Sequence, residues 1–414
     1  VSWSGFLAIW ISAATCLAPA APAHGDADSD LVSKVPRNPV LNQALLDVVE
    51  NPSTDDVLNQ AGDAQKVRDL LAQGADPNAK AKNGTSALTS ALLLGKDESA
   101  RFLIRYGADI HEVDRKGCNL AWTAARRISC PGALELLIKK GLTVTGTKAG
   151  VIDDGAVQGT IMLDIMEDGL VPEPGYKNWP GDRIWTDVDY QAYLKRQRRT
   201  LDLVIAAGAD FNGKDGKETP LIHSINDGNY PVAQYLLEHG VNISFKDEYG
   251  QTALSRIFTS EESRFSLAVL DAILQRGGDA NASTIFNNNP VPRPLLEIAL
   301  EMASVHRTKD SDPSREAVKL LLDHGAIFIR VADDKVQALL QAAARCDLVA
   351  LQKVVQNGTS INSANGHGWT PLMIATALGW NDGSEWLIAH GADVGSRDKG
   401  AAHDPPAKKS VPAH

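Results

Sequence analysis

Dense apolar runs recur along this chain, and each is closed by a glycine. Leu70-Leu71 precedes Gly74, Leu103-Ile104 precedes Gly107, Leu136-Leu137-Ile138 precedes Gly141, and Leu203-Val204-Ile205 precedes Gly208. The same phrase returns before Gly240, Gly277, Gly325, Gly358 and Gly391. The spacings between these glycines are 33, 34, 67, 32, 37, 48, 33 and 33 residues. A dense apolar run that ends in glycine predicts a helix covered on two sides by neighbours. The glycine takes the left-handed position that ends a helix at little steric cost. Cations that stand just before it, such as His239, His324, His390, Lys140 and Arg105, face the negative end of the helix dipole.

A second helix start precedes each run. Gly84-Thr85-Ser86-Ala87-Leu88, Gly250-Gln251-Thr252-Ala253-Leu254 and Gly368-Trp369-Thr370-Pro371-Leu372 share one grammar, and Glu218-Thr219-Pro220-Leu221 repeats it with one residue fewer ahead. The Ser or Thr caps the helix, Pro is tolerated in its first turn, and Leu opens the buried face. Asp114, Asp215, Asp247 and Asn365 lie in the turns before these starts. Two helices per period of about 33 residues predict an all-α solenoid of about nine helix–turn–helix units, each packed only on its neighbours.

The pattern D-x-x-G-x-T-P-L-x-x-A, a second helix, then L-L-x-x-G-A-D resembles the ankyrin repeat, over residues 41 to 398. It is strongest in the units that end at Gly74, Gly107, Gly240, Gly358 and Gly391, and weaker where Cys118-Asn119-Leu120-Ala121 replaces the T-P-L core. The resemblance implies an ankyrin-repeat solenoid that binds another protein through its concave face and turn tips. It does not say which protein.

The spacings of 67 and 48 mark two insertions. The array is placed at 39–398, with a long insertion at about 143–187 and a second at about 287–313. Its first helix is expected near Val40 to Glu50, and the unit that ends at Gly208 is expected to have helices at Thr160 to Glu167 and Val188 to Ala206. Residues 1–23 carry no charge. Phe6 to Ala18 is apolar but short for a membrane span, and Ala18-x-Ala20 and Ala21-x-Ala23 fit a signal-peptide cleavage site. Residues 1–23 therefore read as a signal peptide, without its usual basic start, and the mature protein as periplasmic or secreted. A flexible leader (24–38) and a disordered tail (399–414) flank the array.

Composition narrows the chemistry. The net charge of −10 disfavours a nucleic-acid groove and adsorption to anionic lipid. No membrane insertion is expected after signal removal, and the protein reads as a monomer. Gly208 to Lys214 fits the skeleton of a phosphate loop, but Asp215 stands where Ser or Thr would bind magnesium, and a helix precedes it. The histidines lack metal-ligand spacing, and no nucleophile elbow occurs. No cofactor, metal, catalytic residue or disulfide is expected. Cys118 and Cys130 would flank one helix, too far apart to bridge.

The candidate contacts with a partner are Tyr176, Trp179 and Trp185 in the long insertion, Trp369, His367, Tyr249, Arg115 and Lys116 in turns, and His223 on a first helix. Aromatic side chains concentrate at interface hot spots. The insertion aromatics either bind a partner or fold back over their own unit, and His223 either faces the groove or is simply solvated. Trp122 and Trp380 fall at packing positions, and Lys195-Arg196-Gln197-Arg198-Arg199 on an exposed helix face. Three roles fit: an exported scaffold or chaperone-like binder; an inhibitor or immunity protein that caps a secreted toxin or enzyme; and an enzyme with its site in the insertion.

Overall fold

The structure, a computed structural model, describes residues 38–50, 57–113, 118–126, 130–144, 187–212, 218–259, 266–285, 292–305 and 313–396. The stretches expected to be a signal peptide, most of a leader, the bodies of both insertions and a tail lie outside these residues, as does the helix expected at Thr160 to Glu167.

The described chain is helical. Its helices come as pairs: α1 (Pro39–Glu50) with α2 (Val57–Ala72), α3 (Ala87–Leu93) with α4 (Asp97–Arg105), and α5 (Leu120–Arg126) with α6 (Pro131–Lys139). The long α7 (Asp187–Ala206) follows. Then come α8 (Pro220–Asn226) with α9 (Tyr230–Glu238) and α10 (Ala253–Ile257) with α11 (Leu267–Gln275). A hairpin of β1 (Ser283–Thr284) and β2 (Arg293–Pro294) leads into α12 (Leu295–Val305) and α13 (Pro313–Asp323). The chain closes with α14 (Asp334–Ala344) and α15 (Leu348–Gln356), then α16 (Pro371–Ala377) and α17 (Asn381–Ala389).

The caps act as the sequence predicts. Ser86, Thr219, Thr252 and Thr370 each accept a hydrogen bond from the backbone N–H three residues on. The glycines that end the second helices adopt positive φ, for example 103° at Gly74 and 89° at Gly391. First helices stack on first helices (α1 on α3 on α5, α8 on α10). Second helices form the other layer (α2, α4, α6, α7, and α9, α11, α13). A first helix is therefore covered nearly all round, and in α5 every residue from Leu120 to Ala125 is buried. Each fully buried leucine, such as Leu88 or Leu134, contributes roughly 2 kcal/mol.

Asparagines fasten one unit to the next. Asn78, four residues after Gly74, accepts from the backbone N–H of Asp109 at 2.7 Å. Asn212 does the same for Asn242 at 2.8 Å, Asn281 for Ile327 at 2.9 Å and Asn362 for Asp393 at 2.8 Å. Asn281 and Asn362 also donate their side-chain N–H to the carbonyls of Gly325 and Gly391, at 3.1 and 3.2 Å.

The stacking changes near the C-terminal end, although the glycine period there is regular. The first-layer partner of α12 is α16, one unit further along than expected, and α14 packs instead against α13 and α16. The cause lies in the turn before α14. Thirteen residues separate Gly240 from Ala253 and Gly358 from Pro371, but only nine separate Gly325 from Asp334. The usual turn hairpin is lost, and the fourth residue after Gly325 is Ile329 rather than asparagine. Arg330, at φ 55°, bends the chain instead, and its carbonyl accepts the N–H of Gly366 at 2.7 Å. The turn before α16 thereby reaches the start of α12.

Candidate protein-binding face

The neighbouring first helices α8 and α10, with the turn between Lys246 and Thr252, carry a cluster of fixed polar and aromatic groups. Asp247 organises the turn: its Oδ1 accepts the N–H groups of Tyr249 and Gln251, both at 2.8 Å. Its Oδ2 takes the Arg256 guanidinium, with Nε at 2.6 Å and Nη2 at 2.5 Å. That guanidinium lies 5.3 Å from the centre of the Tyr249 ring. The ring is 70 % exposed, so a large aromatic surface stands in water while its backbone and one face are held.

On α8, His223 faces a carboxylate at each ring nitrogen, hydrogen-bonded at Nδ1 and in ion-pair contact at Nε2. Nδ1 lies 2.6 Å from Glu218 Oε1 and Nε2 3.1 Å from Asp227 Oδ2, while Asn226 donates to the other Glu218 oxygen at 2.8 Å. Burial alone would lower the imidazole pKa. Hydrogen bonds and charge attraction from Asp227 and Glu218 overcome it and push the value up to about 10. At neutral pH the group is an imidazolium between two carboxylates, with a net negative charge. The cluster holds a cation and two anions rather than a base next to a nucleophile. Among the described residues no group of three or more His, Cys, Asp or Glu could hold a metal ion.

Further along the first layer, Glu112 joins Lys80 at 2.8 Å and Thr89 at 3.3 Å. Burial raises its pKa, but these partners and Ser86 hold the carboxyl below its ordinary value.

Of the residues singled out from sequence, Tyr249 stands exposed in the turn before α10, and His223 is held on the neighbouring first helix α8. His367 and Trp369 are directed inward. Trp369 is 4 % exposed and belongs to the core, and its backbone N–H donates to Asn365 Oδ1 at 2.9 Å. His367 Nδ1 lies 2.7 Å from Oε2 of Glu297, whose other oxygen accepts from Asn365 Nδ2 at 2.7 Å. Glu297 is 0 % exposed. Burial raises its carboxyl pKa, against the opposing pull of His367, Arg293 and Asn365. Asn365 occupies the turn position that Asp247 holds elsewhere, and the same side chain that orders its own turn also ties unit nine to unit seven. Tyr176, Trp179, Trp185, Arg115 and Lys116 lie outside the described residues.

Sequence reasoning passed over Glu297. Its signal is a lone acid within the apolar run Pro294-Leu-Leu-Glu-Ile-Ala-Leu, since a charge on a covered helix needs a partner. Trp122, at 5 % exposure, packs as expected, and the Trp380 ring covers Gly383. Cys118 and Cys130 are both buried, one on each side of α5.

Comparison with known proteins agrees with this architecture. The profile of ankyrin repeats matches in three copies, at residues 57–147, 190–284 and 306–398. The E3 ubiquitin-protein ligase KEG of Arabidopsis thaliana is 24% identical over 364 residues, which are 84% of this chain and 20% of that protein. The B-cell lymphoma 3 protein homolog of Mus musculus is 24% identical over 203 residues, 49% of this chain and 38% of that protein. The chain thus spans well under half the length of either relative. Paired helices, capped starts, glycine ends and three copies of the profile lead to one assignment: this chain belongs to the ankyrin-repeat family, whose fold is a scaffold for binding other proteins.

Proposed function

We propose that this protein is an exported holder of another protein, a scaffold or chaperone-like binder without a catalytic site of its own. The partner docks on the first-helix face around Tyr249, His223 and Asp227. The observation that carries this reading is the Tyr249 ring, 70 % exposed yet fixed by Asp247 and Arg256. A ring held in place before docking loses little entropy on contact, which is how aromatic anchors come to dominate interfaces. The negative balance of Glu218, Asp227 and His223 on the neighbouring first helix favours a partner that carries a basic as well as an apolar side chain.

Export is supported by the uncharged residues 1–23 and their Ala-x-Ala endings. The net charge of −10 supports a protein partner over a nucleic acid, and the chain is proposed to act as a monomer.

A photo-crosslinking residue at position 249, with a control at the exposed Val349 of α15, tests the docking face in intact cells. A single protein species joined through position 249 but not 349, and weakened about tenfold by Tyr249→Ala, is the expected result. Equal labelling from both positions overturns it. Fractionation of the expressing cells tests export independently, since a protein confined to the cytosol refutes that part alone.

A further inference from the structure

The second-helix layer parts between α7 and α9. On one flank α7 packs against α6, where Arg199 reaches Glu135 at 2.6 Å. On the other flank a groove of about 360 Å³ separates it from α9. Two rows of α7 border this groove at helical spacing: Gln191, Lys195 and Arg198 on the outer row, and Leu194, Gln197 and Leu201 on the inner one. Pro231 and the Tyr235 ring of α9 form the opposite wall.

Most charges around the groove are already committed to each other. Arg198 pairs with Glu238 and lies 5.4 Å from the centre of the Tyr235 ring, and the Tyr235 hydroxyl donates to Asp202 at 2.6 Å. Two groups are left over. Lys195 is exposed and makes no ion pair among the described residues. Gln197 is 2 % exposed, and its side-chain Nε2 is buried without an acceptor. A buried donor left without an acceptor is unfavourable, since it has lost its bond to water and gained none in return. An acceptor brought from outside would remove that penalty, and the Lys195 ammonium on the outer row favours a negatively charged segment over a neutral one.

We infer that the groove between α7 and α9 is a second docking site, which takes an extended segment of a partner chain with an Asp or Glu beside an apolar side chain. One carboxylate oxygen accepts from Gln197 Nε2, which turns outward into the groove on docking, and Lys195 on the outer row supplies the opposite charge at longer range. The apolar neighbour covers Leu194, Leu201 and Pro231. The volume suits one or two side chains and excludes a folded domain. In a chain of net charge −10, the Lys195 ammonium, which makes no ion pair among the described residues, is the local positive charge that favours an acidic segment here. The site lies in the layer opposite the Tyr249 face and stands whether or not that face binds.

The test uses the full chain and two fluorescein-labelled nonapeptides, Gly-Ser-Gly-Leu-Glu-Leu-Gly-Ser-Gly and its Leu-Gln-Leu counterpart, followed by fluorescence anisotropy. The acidic peptide binds at least about tenfold more tightly than the neutral one, and the difference shrinks as salt rises. Lys195→Glu, on an exposed side chain, abolishes the preference while circular dichroism stays unchanged. Gln197→Leu weakens the acidic peptide several-fold yet raises the unfolding midpoint, because it removes the orphaned donor. Tyr249→Ala leaves peptide binding unaltered. Equal affinity for both peptides overturns the inference, as does indifference to Lys195→Glu. So does acidic-peptide binding that appears only when residues 170–185 are deleted, since the groove would then belong to the chain's own segment.

Discussion

Glu297 and Asn365 are 68 residues apart in the chain, yet their side chains meet at 2.7 Å in a fully buried contact. The carboxylate also takes His367, so one acid on α12 fixes the turn that begins the last unit. Glu297→Ala leaves the Asn365 amide and the His367 ring without their partner inside the fold. Removing one member of a buried pair lowers stability by about 3–5 kcal/mol. The expected result is a loss of that order by urea unfolding, with amide-exchange protection lost first in α16 and α17 and kept in α3 to α6. Glu297→Gln retains an acceptor for Asn365 and is milder.

His223 gives the fold a dependence on alkaline pH. Its pKa rises from 6.5 to about 10 on folding, so the folded chain holds the proton more tightly than the unfolded one. That stabilisation is complete below pH 6.5 and fades as pH climbs through about 10. Melting temperature measured from pH 6 to 9.5 therefore falls more steeply in the natural chain than in His223→Gln. Parallel curves for the two proteins would contradict the assigned pairing with Glu218 and Asp227.

The asparagine brackets differ in strength. Asn281 makes two bonds to the next turn, to Ile327 N–H and Gly325 C=O, whereas the bond from Asn212 to the next turn is the single acceptor contact with Asn242. At about 1 kcal/mol for each bond, Asn281→Ala reduces stability by about 2 kcal/mol and Asn212→Ala by about half of that. Chemical denaturation of the two variants checks the ratio.

Two glycines in the last unit separate backbone strain from collision. A Cβ at Gly391 would meet nothing within 4 Å, so Gly391→Ala is charged only for its φ of 89°, about 1–2 kcal/mol. A Cβ at Gly383 would lie 2.2 Å from the Trp380 ring. Gly383→Ala must displace that ring, and a shift in tryptophan emission should accompany a larger loss of stability.

Helix starts and helix ends were legible because each is written within a few residues: a capping Thr, a Leu face, a terminal Gly. Tyr249 was legible as a surface position for the same reason, whereas His223 is mostly buried between its two carboxylates rather than simply solvated. The grips on them were less so, since Arg256 and Asp227 look like ordinary surface charges. His367 and Trp369 read as turn-tip residues, as they would be if each turn met only its neighbours. The regular spacing of 33 residues from Gly325 to Gly358 concealed the change, because the period is local while the choice of neighbour depends on turn length. The nine residues from Gly325 to Asp334, against thirteen in the other turns compared, were the sign that α16 would lie beside α12. Glu297 and Gln197 stayed silent because their meaning depends on what lies across the layer.

The shortened turn before α14 also bears on how such a chain can lengthen over evolutionary time. Where consecutive units present the same face to each other, a duplicated unit can be spliced in and find both of its neighbours ready. Beyond α12 that freedom ends. A copy inserted between α13 and α16 would draw Asn365 and His367 away from Glu297 and strand a carboxylate in the interior. The segment from α12 to α17 therefore packs as one block, and an added unit is accommodated more readily ahead of it.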